Sequence, residues 1–119
     1  MERCFWIVVL AAAFLVTGCA SSKNLYYWGS YEGQVYNMYV EPGEAPPERQ
    51  IEMMEADIER ARSKGKPLPP GFRAHLGMLY YQTGRFELAR QSFQAEKDTF
   101  PESTVLMNRF IKRMEGGDA

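Results

Sequence analysis

An unbroken run of uncharged residues, Cys4–Val16, begins three residues into the chain and decides how much of the chain is free to fold. The run spans 13 residues, whereas a membrane-crossing helix needs about 20. Arg3 precedes it, offset by Glu2, and small residues follow it. This is the layout of a secretory leader, with a short charged start, an apolar centre and a small-residue cut site. Removing the first 18 residues leaves 101 of 119. About two-fifths of these are apolar, which is ordinary for a soluble domain and supports one small core.

The run ends in Val16-Thr17-Gly18-Cys19. This tetrad resembles the bacterial lipobox: an aliphatic residue, a small residue, Gly or Ala, then Cys. The resemblance implies cleavage between Gly18 and Cys19, a thioether-linked diacylglycerol on Cys19, and acylation of the new amine. Each buried CH₂ contributes ~0.8 kcal/mol, so one chain holds marginally and two or more hold firmly. Ala20, not Asp, follows the Cys, and by resemblance to envelope sorting rules this implies the outer membrane. Cys4 would leave with the leader and Cys19 would be alkylated, so the mature chain has no thiol pair and no disulfide. The expected division is a signal peptide at 1–18, a lipidated N-terminus and tether at 19–27, a helical domain at 28–115, and a disordered tail at 116–119.

Charge and residue types exclude several functions. Fourteen Lys and Arg stand against 15 Asp and Glu, a formal net charge of −1. A nucleic-acid binder needs a basic surface, so none is expected here. His75 is the single His, and neither a nucleophile nor an orienting carboxylate is patterned with it. On a helix beside Leu76-Gly77 it reads as a partly buried packing residue or a donor to a loop. Glu55 and Glu59 lie four apart on a polar helix face and read as solvated surface. No metal-spaced ligand set and no Gly-rich phosphate loop is present. The expectation is no enzyme: no catalytic residue, metal, cofactor or small-molecule substrate.

The remaining chain reads as helices punctuated by Pro and Gly. Tyr26, Tyr27, Trp28, Tyr31, Tyr36 and Tyr39 crowd one segment. Trp28, Tyr31, Val35 and Met38/Tyr39 recur at three- and four-residue steps, which predicts a helix over about Gly29–Val40. Such a face suits an amphipathic core, with Tyr hydroxyls reaching water. The alternative is an exposed aromatic surface for a partner. After the loop Glu41–Pro46, Pro47 opens a second helix running to about Lys64. Its apolar stripe is Ile51, Met54, Ile58 and Ala61, and Gly65 is placed to cap it in the left-handed conformation. Lys66–Gly71 is a rigid connector. Helices then follow over about Phe72–Thr83 and Phe86–Thr99, joined by Thr83-Gly84-Arg85. A last helix begins near Ser103, an expected cap, and carries Val105, Leu106, Phe110, Ile111 and Met114.

Pro70–Ser103 resembles one 34-residue tetratricopeptide unit. Leu76 and Gly77 fall on its Leu-Gly pair, and Tyr80 on the first-helix aromatic. Gly84 falls at the turn, Ala89 and Phe93 on the second helix, and Pro101 near the end. Arg73 stands where the unit has Trp, and Glu96 where it has a small Ala. Gly77 and Ala89 are small where two helices would cross, and Tyr80 and Phe93 fill the volume beside them. A lone hairpin of this kind cannot bury its apolar face. The expectation is therefore an all-α, right-handed stack of tetratricopeptide-like hairpins with about five helices. The Trp28 helix and the Pro47–Lys64 helix would form a degenerate first unit. The resemblance implies that Ala74, Met78, Tyr81 and Gln82 line a concave, partner-binding face.

Most of the mature chain is also similar to a family of small, uncharacterised bacterial lipoproteins. The residues that carry this are Tyr27-Trp28-Gly29-Ser30-Tyr31, Pro69-Pro70-Gly71 with Ala74-His75-Leu76-Gly77, and Glu96-Lys97 with Phe100-Pro101-Glu102-Ser103. Genes of that family often lie near those for lipoproteins resembling the curli secretion channel. This implies a periplasmic assembly component; with the anchor and the helical hairpins, the expectation is an outer-membrane-anchored, non-enzymatic adaptor or assembly factor with a protein partner in the periplasm or outer membrane. The alternative is a structural lipoprotein, or a regulator of a cell-wall enzyme, that binds through its aromatic N-terminal segment.

Overall fold

The computed structural model describes residues 1–14 and 24–116. The tetrad Val16–Cys19, with its cleavage and lipidation positions Gly18 and Cys19, lies outside the described residues, as do 117–119 of the expected tail. The described residues form helices and no strand. The helices are α1 (Glu2–Phe14), α2 (Tyr31–Val40), α3 (Pro47–Ser63), α4 (Phe72–Gln82), α5 (Phe86–Thr99) and α6 (Thr104–Met114), with a 3₁₀ turn at Pro101–Ser103. No described helix is long and apolar enough to cross a membrane.

Local chemistry sets most boundaries. Pro47 occupies the first turn of α3, where a missing N–H leaves no bond unmade. Gly65 ends α3 at φ +61°, and the Lys66 N–H returns to the Ala61 carbonyl at 3.0 Å. This left-handed cap satisfies carbonyls that the last turn would otherwise leave open. Gly84 (φ +76°) reverses the chain between α4 and α5, and the Arg85 N–H donates to the Tyr80 carbonyl at 2.8 Å. Ser103 does not cap α6. Its hydroxyl donates back to the Phe100 carbonyl at 2.8 Å, because the 3₁₀ turn is interposed ahead of the helix.

The core is built around α4. Phe72, Leu76, Leu79 and Tyr80 pack with Ile51 and Met54 of α3, Ala89 and Phe93 of α5, and Met107 of α6. Burying each large apolar side chain contributes about 1.5–3 kcal/mol. Gly77 is itself buried, and a Cβ there would lie 2.6 Å from Phe93 Cε1. The α4–α5 crossing is thus as close as the small residue predicts.

Two stripes differ from expectation. On α6 the buried residue is Met107, while Val105 and Leu106 face solvent and Phe110, Ile111 and Met114 are partly buried. On α2 the aromatic face does not continue. Trp28, Tyr31 and Val35 are half-buried, but Met38 and Tyr39 are exposed. The one buried α2 side chain is polar, Gln34. The helix is fastened at its start, and its second half stands away from the core.

Candidate functional site

The attachment of α2 depends on a buried carboxylate. Asp57 is 1% exposed and takes a place on α3 next to the expected apolar Ile58, which is only half-buried. It accepts from the Ser30 N–H at 2.7 Å, from the Ser30 hydroxyl at 2.5 Å, and from Arg60 Nη1 at 3.2 Å. Three donors offset much of what burying a charge costs. Gly29 sits against this carboxylate at φ +50°, and a Cβ there would come within 2.6 Å of both carboxylate oxygens. The Gly29-Ser30 pair is therefore a place where only a bare backbone can approach.

The network has a direction. The carboxylate accepts only, so the Ser30 hydroxyl proton points to Asp57. Gln34 must then donate through Nε2 to Ser30 Oγ, at 2.7 Å. That orientation fixes the amide, and leaves Gln34 Oε1 buried with no hydrogen-bond partner.

Beside this network lies a cleft of about 390 Å³. Gly33, Gln34 and Met38 of α2 line one side, Gln50 and Met53 of α3 the other, and Glu41–Gly43 the mouth. The Glu44 N–H donates to the Glu41 carbonyl at 3.2 Å, and the neighbouring Glu44 side chain holds the Glu41 carboxyl above its usual range. Tyr36 and Tyr39, 65% and 77% exposed, continue the surface along the outside of α2.

A second carboxylate, on α5, repeats the device. Glu96 is 2% exposed. Its Oε1 accepts from the Gly71 N–H at the start of α4, at 2.6 Å, and Oε2 has no partner. Gly71 has φ +89°, and a Cβ there would meet the Tyr31 hydroxyl at 2.6 Å. Burial, then the Glu96 charge, holds the Tyr31 hydroxyl above its usual range. Glu96, the departure from the small residue of the tetratricopeptide pattern, thus anchors a helix start. A carboxylate favours that place because the first turn's N–H groups converge there.

The aromatic segment ahead of α2 straps the body. The Tyr27 N–H donates to the Pro67 carbonyl at 2.8 Å, and Lys64 Nζ lies 5.1 Å from the centre of the Tyr27 ring. Tyr26 meets Phe100 edge-on, and Tyr31 packs on Phe72 and His75. His75 is half-buried, 3.4 Å from Gln50 Oε1, and burial lowers its pKa. Glu55 is more than solvated surface, since it accepts from the Tyr80 hydroxyl at 2.7 Å. Burial and that carboxylate hold Tyr80 well above its usual range, protonated and donating.

The residues expected on a concave face lie on α4. Ala74, Met78 and Tyr81 are partly buried against the core, and Gln82 is exposed. Met78 and Tyr81 meet Phe110 and Met114 of α6 around a small cavity of about 50 Å³. The α2–α3 cleft was missed at the sequence level. Its one available signal was the Gly29-Ser30…Gly33-Gln34 spacing, which interrupts an otherwise apolar helical face. Among the described residues no group of three or more His, Cys, Asp or Glu is placed to hold a metal ion.

This helical body, fastened by two buried carboxylates, is a small all-α domain. Residues 25–110 match the family described as Domain of unknown function (DUF4810), and the chain belongs to that family. No curated protein and no solved structure matches the chain.

Proposed function

We propose that this chain is a lipid-anchored, non-enzymatic adaptor or assembly factor of the bacterial outer membrane, holding a protein partner for an envelope secretion or assembly complex. The lipobox-like tetrad ending in Cys19 supports the anchor. The observation that carries the adaptor reading is the outer half of α2, where Tyr36, Met38, Tyr39 and Val40 are exposed beside a cleft. Aromatic and Met side chains of this kind are enriched in protein interfaces. Their exposure favours the aromatic N-terminal segment as the contact surface, whether the partner is a secretion component or a cell-wall enzyme.

The same reading treats α2–α3 and α4–α5 as two tetratricopeptide-like hairpins in a right-handed stack, closed by α6. The paired carboxylates support it. In each hairpin the second helix sends a buried acid to the first helix's start, Asp57 to Ser30 and Glu96 to Gly71. Gln82 and the open edges of Met78 and Tyr81 offer a second contact surface.

The test is photocrosslinking in intact cells, with the reactive residue at Tyr39 in one strain and at Gln82 in another. A discrete protein adduct from Tyr39 is expected, lost when Cys19→Ser blocks lipidation and leaves an unprocessed precursor. Adducts from Gln82 alone would move the interface to α4. No adduct from either, or a mature chain with an unmodified Cys19 thiol, would overturn the reading.

A further inference from the structure

The cleft states what chemistry it accepts. Its hydrogen-bond chain starts at a carboxylate and runs Asp57, Ser30, Gln34, each member donating toward Asp57. The free end of such a chain is an acceptor, Gln34 Oε1, on a side chain only 7% exposed that lines the cleft. Buried polar atoms are nearly always partnered, so an occupant that supplies a donor completes the network. A second amide carbonyl or a carboxylate could not.

Charge points the same way independently. Between Asn24 and Met53 the acidic residues are Glu32, Glu41, Glu44, Glu48 and Glu52, while the only cation is Arg49. The chain as a whole is close to neutral, at −1, so its excess negative charge lies in the segment that carries α2 and the start of α3, and Glu41 of that segment lines the cleft. Glu41 lines the cleft and Glu44 follows three residues later in the same turn, so two carboxylates lie close together there, a like-charge pairing that a cation relieves. Between the polar floor and the acidic mouth, Met38 and Met53 supply flexible apolar walls that adapt to an aliphatic side chain.

We propose that the α2–α3 cleft binds a short cationic and apolar peptide segment of a partner protein, with an aliphatic side chain between Met38 and Met53 and an adjacent Lys or Arg donating to Gln34 and the Glu41–Glu44 rim. This rests on the adaptor reading and deepens it. The outer half of α2 is fastened to the body only through its first turns, so it can shift to admit the segment at little loss of packing. Exposed Tyr36 and Tyr39 then extend the contact along the peptide. A bilayer fits worse, because interfacial aromatic helices carry Lys and Arg toward anionic headgroups, and residues 24–48 carry none. A second copy is the internal competitor, since α6 exposes Val105 and Leu106 on a helix that also carries Arg109 and Lys112.

The test pans a display library of random 12-residue peptides against the full chain, immobilised in detergent. Sedimentation velocity and flotation with phosphatidylethanolamine–phosphatidylglycerol vesicles run alongside, the latter on the Cys19→Ser chain. The expected result is Lys and Arg enriched several-fold over library frequency beside Leu, Ile or Val. Clones should elute with salt, lose at least tenfold in binding to Met53→Trp, and lose several-fold to Glu41→Gln/Glu44→Gln. Met53 and both Glu are exposed, so these variants keep the core. Peptides without cationic bias, or insensitive to Met53→Trp, overturn the proposal and leave the adaptor reading to the in-cell crosslink. So does a dimer dissociated by Arg109→Glu/Lys112→Glu, or vesicle binding lost with Tyr39→Ser. No enriched peptide at all overturns it too. If the Tyr39 crosslink is also absent, the adaptor reading falls with it.

Discussion

Replacing Gly77 by Ala adds one methyl group at the tightest point of the core. The new Cβ would sit 2.6 Å from Phe93 Cε1, 2.8 Å from Cδ1 and 3.1 Å from Cζ. Phe93 is 0% exposed and cannot swing aside without displacing its neighbours, among them Phe110 at 5.3 Å between ring centres. Overpacking of this kind costs ~1–3 kcal/mol. Ala is the better helix former by ~0.8–1 kcal/mol, which offsets part of the loss. A 2.6 Å approach to a fully buried ring places the overpacking cost in the upper part of its range, about 2–3 kcal/mol, so the net effect is a destabilisation of about 1–2 kcal/mol, or a Tm lower by about 5–15 °C for a domain of this size. The internal control is Gly33→Ala, the same change inside α2, where a Cβ meets nothing within 4 Å. There only the propensity gain acts, so stability should rise by ~0.5–1 kcal/mol. Thermal melts by circular dichroism of parent, each variant and Gly77→Ala/Phe93→Leu check this. The double variant should recover part of the Gly77→Ala loss, because the smaller side chain makes room. If Gly77→Ala melts at or above the parent, the close α4–α5 crossing is refuted.

Two further perturbations address the fastening of α2 and its contact with α4. Asp57→Ala removes the acceptor of three hydrogen bonds and leaves Ser30's N–H buried without one, a loss of about 2–3 kcal/mol, measurable by urea denaturation, with Trp28 fluorescence shifting toward its solvent-exposed value. For His75, burial lowers the folded pKa below 6.5, so between the two pKa values the unfolded chain binds more protons. Its contribution is therefore intact above about pH 6.5 and is lost as pH falls toward the folded pKa. The Tm difference between pH 7.5 and 5.5 should be smaller for His75→Gln than for the parent, and an equal difference would refute the linkage.

How much was legible beforehand varies by element. The ends of α3, α4 and α5 follow from Pro47, Gly65 and Gly84, whose effects on φ and on missing N–H groups act within a few residues. The α4–α5 crossing was readable from Gly77, Ala89 and Phe93, because small and large residues at helical steps imply a close approach between neighbours joined by a short turn. The roles of Asp57 and Glu96 were not readable. A charged residue on an amphipathic helix ordinarily faces water, and each is buried here only because a distant chain segment brings N–H donors to it, over separations of 27 and 25 residues.

The chain's own periodicity and punctuation thus determined an all-helical body, its turns, and the pairing of α4 with α5, since these depend on interactions within or between adjacent segments. The tertiary structure alone decided that α2 is held by its first turns and leaves a cleft against α3. Apolar spacing records that a residue can be buried, but not whether anything is left to bury it. The core around α4 is already filled by α3, α5 and α6, so the second half of an aromatic helix that reads as core is left facing outward.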